Sequence, residues 1–211
     1  MPKIINKQIK DSKVSISPGN IKMGAIASVS LPPYDTCPHD APCFKLCYAG
    51  KITRLRKNVK NAYNRNLKIL ISDDASYWNQ VENAISKERF FRFHVSGDIV
   101  DMNYLMNMVG IAERQPQCNI LCFTKQYAMV NEWIKRGNTI PKNLHIVFSV
   151  WKNYECPNPY KLPEAHVLFK DGTTTANEFA FKCSGNCQRC ANTDNGCWNL
   201  KYGEQVVFPQ H

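Results

Sequence analysis

The sequence has no hydrophobic run near the roughly 20 residues that a bilayer-spanning helix requires. Its longer apolar stretches, such as Ile146 to Trp151, are far shorter. A membrane-spanning segment, and with it a membrane partner, is therefore not expected. The opening MPKIINKQIKDSK lacks an apolar h-region, so no export signal is expected either, and the location implied is cytoplasmic. No internal repeat is visible, and no established nucleic-acid-binding motif. Acidic residues are scarce, with 17 Asp and Glu against 27 Lys and Arg, for a net charge of +10. Apolar material is not scarce. Hydrophobic residues make up 44% and aromatics 11% of 211 residues, which excludes a disordered chain and suits one domain with at most a small appendage.

Cysteine is abundant: ten residues with no export signal. In a reducing compartment, clustered thiols point to metal rather than to disulfides. Cys37, Cys43 and Cys47 fall in one short loop, and Cys183, Cys187, Cys190 and Cys197 in another segment. Only Cys118, Cys122 and Cys156 lie outside. Cys118 and Cys122 share a face of an expected strand and read as packing residues, and Cys156 is unassigned.

The pattern predicts a strand over 26–31, stopped by Pro32-Pro33, and an irregular loop TCPHDAPCFKLCYAG after it. Helices are expected over 54–71 and 76–87, the second capped by Asp73 or Asp74. Strands over 90–96, 119–124 and 144–151 then alternate with helices over 102–114, capped by Asp101, and 128–136, closed by Gly137. Short strands follow at 165–169 and 204–208. Such alternation implies parallel strands with crossover helices. In FRFHVS, Phe91, Phe93 and Val95 share one face and Arg92, His94 and Ser96 the other. Leu144, Ile146, Phe148 and Val150 likewise oppose His145, Val147, Ser149 and Trp151. A parallel sheet covered on both sides is apolar on both. One polar face predicts an α/β fold built as a partial, open parallel βα barrel with a polar interior, followed by a cysteine-rich C-terminal extension. A half-covered sheet with one solvated face is the alternative. The expected organisation is a barrel over 1–169, with the three-cysteine loop near its start, and a metal-binding tail over 170–211.

Three thiolates without a fourth protein ligand leave one coordination position open, which suits chemistry better than structure. A three-cysteine loop after the first strand of a parallel βα layer resembles the radical S-adenosylmethionine (SAM) superfamily. That resemblance implies a [4Fe–4S] cluster on Cys37, Cys43 and Cys47, with SAM chelated at the free iron and cleaved to a 5′-deoxyadenosyl radical. Tyr48 would be the aromatic neighbour of the last cysteine. Ser96-Gly97-Asp98 would stand where the superfamily places a Gly-Gly-Glu turn, and Ser149 would join the SAM site. The spacing Cys-x5-Cys-x3-Cys is wider than the superfamily's usual C-x3-C-x2-C. The order TCP…C…CYA, FRFHVSGD and a cysteine-rich end closing in VVFPQH also resembles the phage gene product 88 family, which implies no particular activity and a host-cytoplasmic location.

Cys183-x3-Cys187-x2-Cys190 has the usual radical SAM spacing, but too little chain follows to build a barrel. With Cys197 it reads as a closed four-thiolate site, either an auxiliary [4Fe–4S] cluster or zinc. A swapped assignment of the two groups, and a pooling of both around fewer sites, stay open. His39 could replace a cysteine as ligand. His94, His145 and His166 are candidate pocket residues or hydrogen-bonded structural histidines. Lys125, just past a strand end, is a candidate site residue or a surface lysine.

Lys51, Arg54, Arg56, Lys57, Lys60, Arg65 and Lys68 accumulate over 51–68 with no acid between them. The segment would attract nucleic acid or a phosphate-bearing substrate, or else is a solvated helix face. The leading expectation is a radical SAM-like enzyme served by an electron donor, acting on an unknown substrate. The rivals are a zinc or Fe–S protein that binds nucleic acid without catalysis, and an Fe–S electron carrier or sensor.

Overall fold

The computed structural model describes residues 13–194 and 196–210. The charged lead-in over 1–12, on which the export-signal expectation rests, lies outside the described residues.

Eight strands form one sheet in the order β1-β2-β3-β4-β5-β6-β8-β7. They are β1 (Ile16–Ser17), β2 (Ala27–Val29), β3 (Phe90–Phe93), β4 (Asn119–Thr124), β5 (Leu144–Ser149), β6 (Glu164–Leu168), β7 (Phe181–Lys182) and β8 (Gln205–Pro209). Among the described residues only β1 pairs antiparallel, with β2, and every other strand pair is parallel. The sheet is therefore mixed but mostly parallel, and it is open, with β1 and β7 at its edges.

Strands β2 to β6 are adjacent in chain order. Right-handed crossovers between sequential parallel strands place their helices on one face. The helices are α1 (Pro33–Thr36), α2 (Tyr48–Leu55), α3 (Lys57–Ser72), α4 (Asp74–Ile85), α5 (Met102–Arg114), α6 (Tyr127–Lys135) and α7 (Cys187–Ala191). One core packs α3 to α6 on that face, against Val29, Phe91, Phe93, Ile120, Cys122, Ile146 and Phe148. α4 shows why it forms. Tyr77, Trp78, Val81 and Ile85 recur at helical spacing and are all buried, and Asp73 caps the helix by accepting from the Ser76 amide at 3.0 Å. Each such buried side chain contributes roughly 1.5–3 kcal/mol.

The other face carries Leu121, Val147, Ala165 and Val206. It is covered by the C-terminal segment through Cys190, Ala191 and Trp198, and by Met23 and Ile26. Residues 170–200, expected to be irregular, also add β7 and α7, while the strand expected over 204–208 forms as β8 and pairs with β6 inside the same sheet.

Several expectations are corrected in detail. The helix expected over 54–71 is two helices, because Arg56 takes an extended backbone (φ −122°, ψ 95°) with no Gly or Pro to announce it. The loop after β2 includes α1 and a 3₁₀ turn at Pro42–Phe44, each opened by a proline, whose fixed φ suits a first helical position. β3 stops at Phe93, and β5 at Ser149. His94 has φ 60°, which breaks the alternation, so it does not share the Arg92 face. It packs instead among Phe93 and Tyr104 on the helical side.

Candidate functional site

The C-terminal ends of β2, β3, β4 and β5 are joined by polar side chains. Beyond β2, the Ser96 hydroxyl donates to the Leu31 carbonyl at 3.0 Å and the Val95 amide donates to Ser30 Oγ at 3.2 Å. Gly97 turns the chain at φ 86°. A Cβ there would lie 2.8 Å from both Leu31 Cβ and Thr36 Oγ1, so the turn requires glycine. Thr36, next to Cys37, donates its hydroxyl to the Pro32 carbonyl at 2.8 Å and accepts from the Asp98 amide at 3.2 Å.

Asp98 is the centre of this edge. Its buried carboxylate accepts from the Thr124 hydroxyl at 2.6 Å, the Lys125 amide at 2.9 Å and the Ile99 amide at 2.8 Å. Burial raises its pKa, and these hydrogen bonds oppose the rise. Both oxygens are thus engaged within the protein. Lys125 continues the chain of contacts, its ammonium donating to Ser149 Oγ at 2.6 Å, while the Tyr127 hydroxyl donates to the Ser149 carbonyl.

The three-cysteine loop lies against this edge. Tyr48 donates its hydroxyl to the Val95 carbonyl, tying the start of α2 to the end of β3. Cys47 caps α2, its sulfur accepting from the Gly50 amide at 3.4 Å. Burial pushes the Cys37 thiol up; Asp98, Cys47 and Cys43 add to the rise and Lys125 opposes it. Cys43 is pushed up by burial, again opposed by Lys125. Cys37, Cys43, Cys47, Asp98 and Lys125 therefore share one electrostatic neighbourhood. His39 is turned elsewhere, its Nε2–H donating to the Tyr34 carbonyl at 3.0 Å.

The second cysteine group sits under the opposite face of the sheet. Asn186 caps α7 by accepting from the Arg189 amide at 2.9 Å, which sets Cys187 and Cys190 one turn apart. The Cys187 amide donates to the Lys22 carbonyl at 3.0 Å, and the Ala25 amide to Gln188 Oε1 at 3.0 Å. Gly196, at φ 101°, brings its backbone so close to Cys190 that a Cβ would lie 2.8 Å from Cys190 Cβ. Burial, reinforced by Cys183, pushes Cys197 up to about 12, and Arg92 opposes this. Burial also raises Cys187, with Arg92 first among the opposing charges. Arg92 projects from β3 over the Phe123 ring, 4.7 Å from its centroid, and its Nε is buried without a hydrogen-bond partner.

Among the described residues no group of three or more His, Cys, Asp and Glu side chains stands converged as a metal site. The donor chemistry of both groups nonetheless suits a soft metal: sulfur only, three thiols in one set and four in the other. The two sets lie in different surroundings, one at the strand ends and one under the sheet.

The remaining candidates scatter. His145 is half-buried, 3.4 Å from Asn119 Oδ1. His166 lies on the opposite side of β6 from Ala165, between Glu164 at 3.0 Å and Thr175 at 2.8 Å. Cys118 and Cys122 are buried in the helical-face core, and Cys156 packs at its margin. Sequence reasoning left Thr36 and Thr124 unweighed. The available signal for Thr124 was its place as the last residue of a parallel strand. A cavity of about 770 Å³ is lined by Lys22, Arg56, Cys183 and Gly185 among others, and by no residue of the three-cysteine loop.

The Gene product 88 family model matches residues 3–203. The Gene 88 protein of Mycobacterium phage L5 is 26% identical over 121 residues, 51% of this chain and 51% of that protein. The chain thus spans about half the length of that curated relative. No solved structure matches the chain. Among the described residues no helix is long and apolar enough to cross a membrane.

Proposed function

The chain belongs to the gene product 88 family, and on that premise we propose that it is an iron–sulfur enzyme of the radical SAM type built on an open, mostly parallel βα sheet. The observation that carries the reading is the loop of three thiols at the C-terminal edge of the parallel strands. In open α/β sheets that edge is where ligands bind.

Cys37, Cys43 and Cys47 would hold a [4Fe–4S] cluster. The donor set fits: Asp98 is consumed by its own hydrogen bonds, so it offers no fourth protein ligand. When bound, such a cluster supplies the single electron, taken from an external donor, that reductively cleaves SAM. The chain's own residues hold the edge in place. Tyr48 fixes the loop to β3. The Ser96-Gly97 turn, its serine buried, packs against Leu31 and Thr36, next to Cys37, and Asp98 locks β3 to β4. Lys125, held by Ser149, sets a positive charge beside the thiols. Cys183, Cys187, Cys190 and Cys197 would form a closed auxiliary site, [4Fe–4S] or zinc, that staples the tail to the sheet.

The test is metal and sulfide analysis of anaerobically purified protein, with EPR after dithionite reduction in the presence and absence of SAM. About eight irons, or about four and one zinc, with a SAM-perturbed spectrum support the reading. Zinc alone, or an iron signal indifferent to SAM, overturns it.

One observation favours a second reading, the non-catalytic binding protein. The cavity of about 770 Å³ opens beside Arg56 and Lys22 rather than at the three-cysteine loop. In that reading both cysteine groups are structural, and SAM does not bind.

A further inference from the structure

The positive charge of this protein is not spread over its surface. Residues 41–72 hold eight Lys and Arg and no acid, so the rest of the chain sets 19 Lys and Arg against 17 Asp and Glu. Nearly all of the net charge belongs to one stretch. Seven of the eight cations lie on α2, on α3 or at Arg56 between them, and every one of the eight is exposed. Among the described residues the ion pairs engage none of them; they join Arg114 to Glu82, Arg136 to Glu132, Lys152 to Asp171 and His166 to Glu164.

The arrangement is directional. Lys57, Lys60, Asn61, Asn64 and Lys68 are exposed at helical spacing along α3, a stripe about 16 Å long at 1.5 Å per residue. Asparagine amides between ammonium groups give neutral donors between charges, the mixture that contacts phosphate oxygens. At one end the charge runs into the recess where Arg56 and Lys22 share a wall. At the other end of α2, Cys47 is the helix cap.

We propose that α2 and α3 form a nucleic-acid backbone-binding surface that presents a polynucleotide to the three-cysteine edge. This rests on the enzymatic reading above for the polynucleotide's role as substrate, but not for binding itself. An anionic membrane fits less well. A helix lying in a lipid interface dips a continuous apolar face into the acyl region, whereas Ile69 of α3 is buried in the protein core with Leu67 and Leu70 packed against it, which leaves Ile52 and Leu55 on α2 and Ile71 at the end of α3 as the exposed large aliphatic side chains of the two helices. The phosphodiester chain is the shared chemistry of DNA and RNA, and the experiment separates them.

Fluorescence anisotropy with labelled duplex DNA, single-stranded DNA and single-stranded RNA, each titrated between about 50 and 200 mM salt, tests the proposal without SAM or reductant. The expected result is binding to at least one of the three that weakens linearly in log–log form with salt. The triple variant Lys57→Gln, Lys60→Gln, Lys68→Gln should bind at least tenfold more weakly. On duplex DNA its salt slope should be shallower by about 2–3, at about 0.9 for each phosphate that is no longer neutralised. A control triple variant at exposed positions elsewhere, Lys135→Gln, Lys142→Gln, Lys170→Gln, removes the same charge and should bind within about twofold of the parent protein. Equal melting temperatures of the two variants show that the comparison is between folded proteins. No binding to any of the three polymers, equal losses in both triple variants, or binding confined to phosphatidylserine vesicles would overturn the proposal. Loss of the enzymatic reading would leave these binding results unchanged, so the two fail separately.

Discussion

The hydroxyl of Thr124 donates to the carboxylate of Asp98 at 2.6 Å, joining the last residue of β4 to the turn that follows β3. Both groups are buried, so neither can exchange this bond for water. The bond turns two neighbouring strand ends into one rigid edge, against which the three-cysteine loop rests.

Removing the hydroxyl should therefore cost stability. Thr124→Val keeps the shape but leaves a buried carboxylate with one donor fewer, for an expected loss of about 1–3 kcal/mol. Urea unfolding of the two proteins at pH 7 measures it. Unchanged midpoints would mean that water reaches Asp98 and the edge is not dry.

Buried His94 makes stability depend on pH. Burial, with Arg92 adding to the effect, holds its pKa down to about 3, against about 6.5 for the free side chain. Its Nε2 lies 3.0 Å from the Tyr104 hydroxyl and its Nδ1 3.7 Å from Cys122 Sγ. The unfolded chain takes up a proton below about 6.5 that the folded chain refuses, so His94's contribution is complete above that pH and is lost as pH falls. The slope approaches about 1.4 kcal/mol per pH unit through that window. Asp98, whose pKa is raised, works in the opposite direction at the acidic end. The variant His94→Asn isolates the histidine, because asparagine tolerates the positive φ of this position. Between pH 7 and 5 the parent protein's unfolding midpoint should drop more steeply than the variant's, and parallel curves would contradict the assignment.

Much of this architecture was legible in the residues. Periodicity placed β3, β4, β5, α4, α5 and α6 to within a few positions, because each alternates or recurs against a single core. Beyond the short elements of the two cysteine-rich segments, His94 and Arg56 escaped for physical reasons. His94 reverses its face through one positive φ, a backbone choice that hydrophobic pattern does not encode. Arg56 breaks a helix while the apolar spacing on either side continues. The cysteine groups were visible as spacing, but their surroundings were not. Thr36 and Thr124 both bond to Asp98, from positions 62 and 26 residues away, and Arg92 acts on Cys187 and Cys197 from another element; such long-range pairs leave no local signature.

Gly97 should tolerate no side chain. Its φ of 86° disfavours L-residues, and an added Cβ would meet Leu31 and Thr36 at 2.8 Å. Gly97→Ala is expected to lose about 2 kcal/mol or more, read from thermal or urea unfolding. A variant as stable as the parent protein would show that the turn can relax, and that the loop is held to β3 only loosely.

Cys43→Ala separates cluster loading from folding. Cys43 is half-buried at the 3₁₀ turn and outside both cores, so its loss should leave the fold intact. Iron and sulfide should fall by the content of one cluster, and reductive SAM cleavage should disappear, while circular dichroism is unchanged. Iron content and SAM cleavage equal to those of the parent protein would remove this loop from the redox site and shift the assignment to the tail cysteines.

Arg92 tests the tail in the same spirit. A guanidinium whose Nε is buried without a hydrogen-bond partner is a cost to the metal-free fold, unless something nearby becomes strongly negative. A metal centre with four thiolates is that something: zinc or [4Fe–4S]²⁺ with four Cys ligands carries a net charge of about −2. Arg92 already lowers the pKa of Cys187 and Cys197 against the burial that raises it, which favours the thiolates a metal needs. Arg92→Gln should therefore leave the metal-free protein about as stable as before, while weakening metal retention by the tail. The expected loss is about tenfold or more in affinity, the scale of other residues that act on a metal through its ligands. Competition with a chromogenic chelator measures it, on protein whose three-cysteine loop has been silenced by Cys43→Ala so that only the tail reports. Unchanged retention would mean that the cation has another role, with the Phe123 ring as its chief partner.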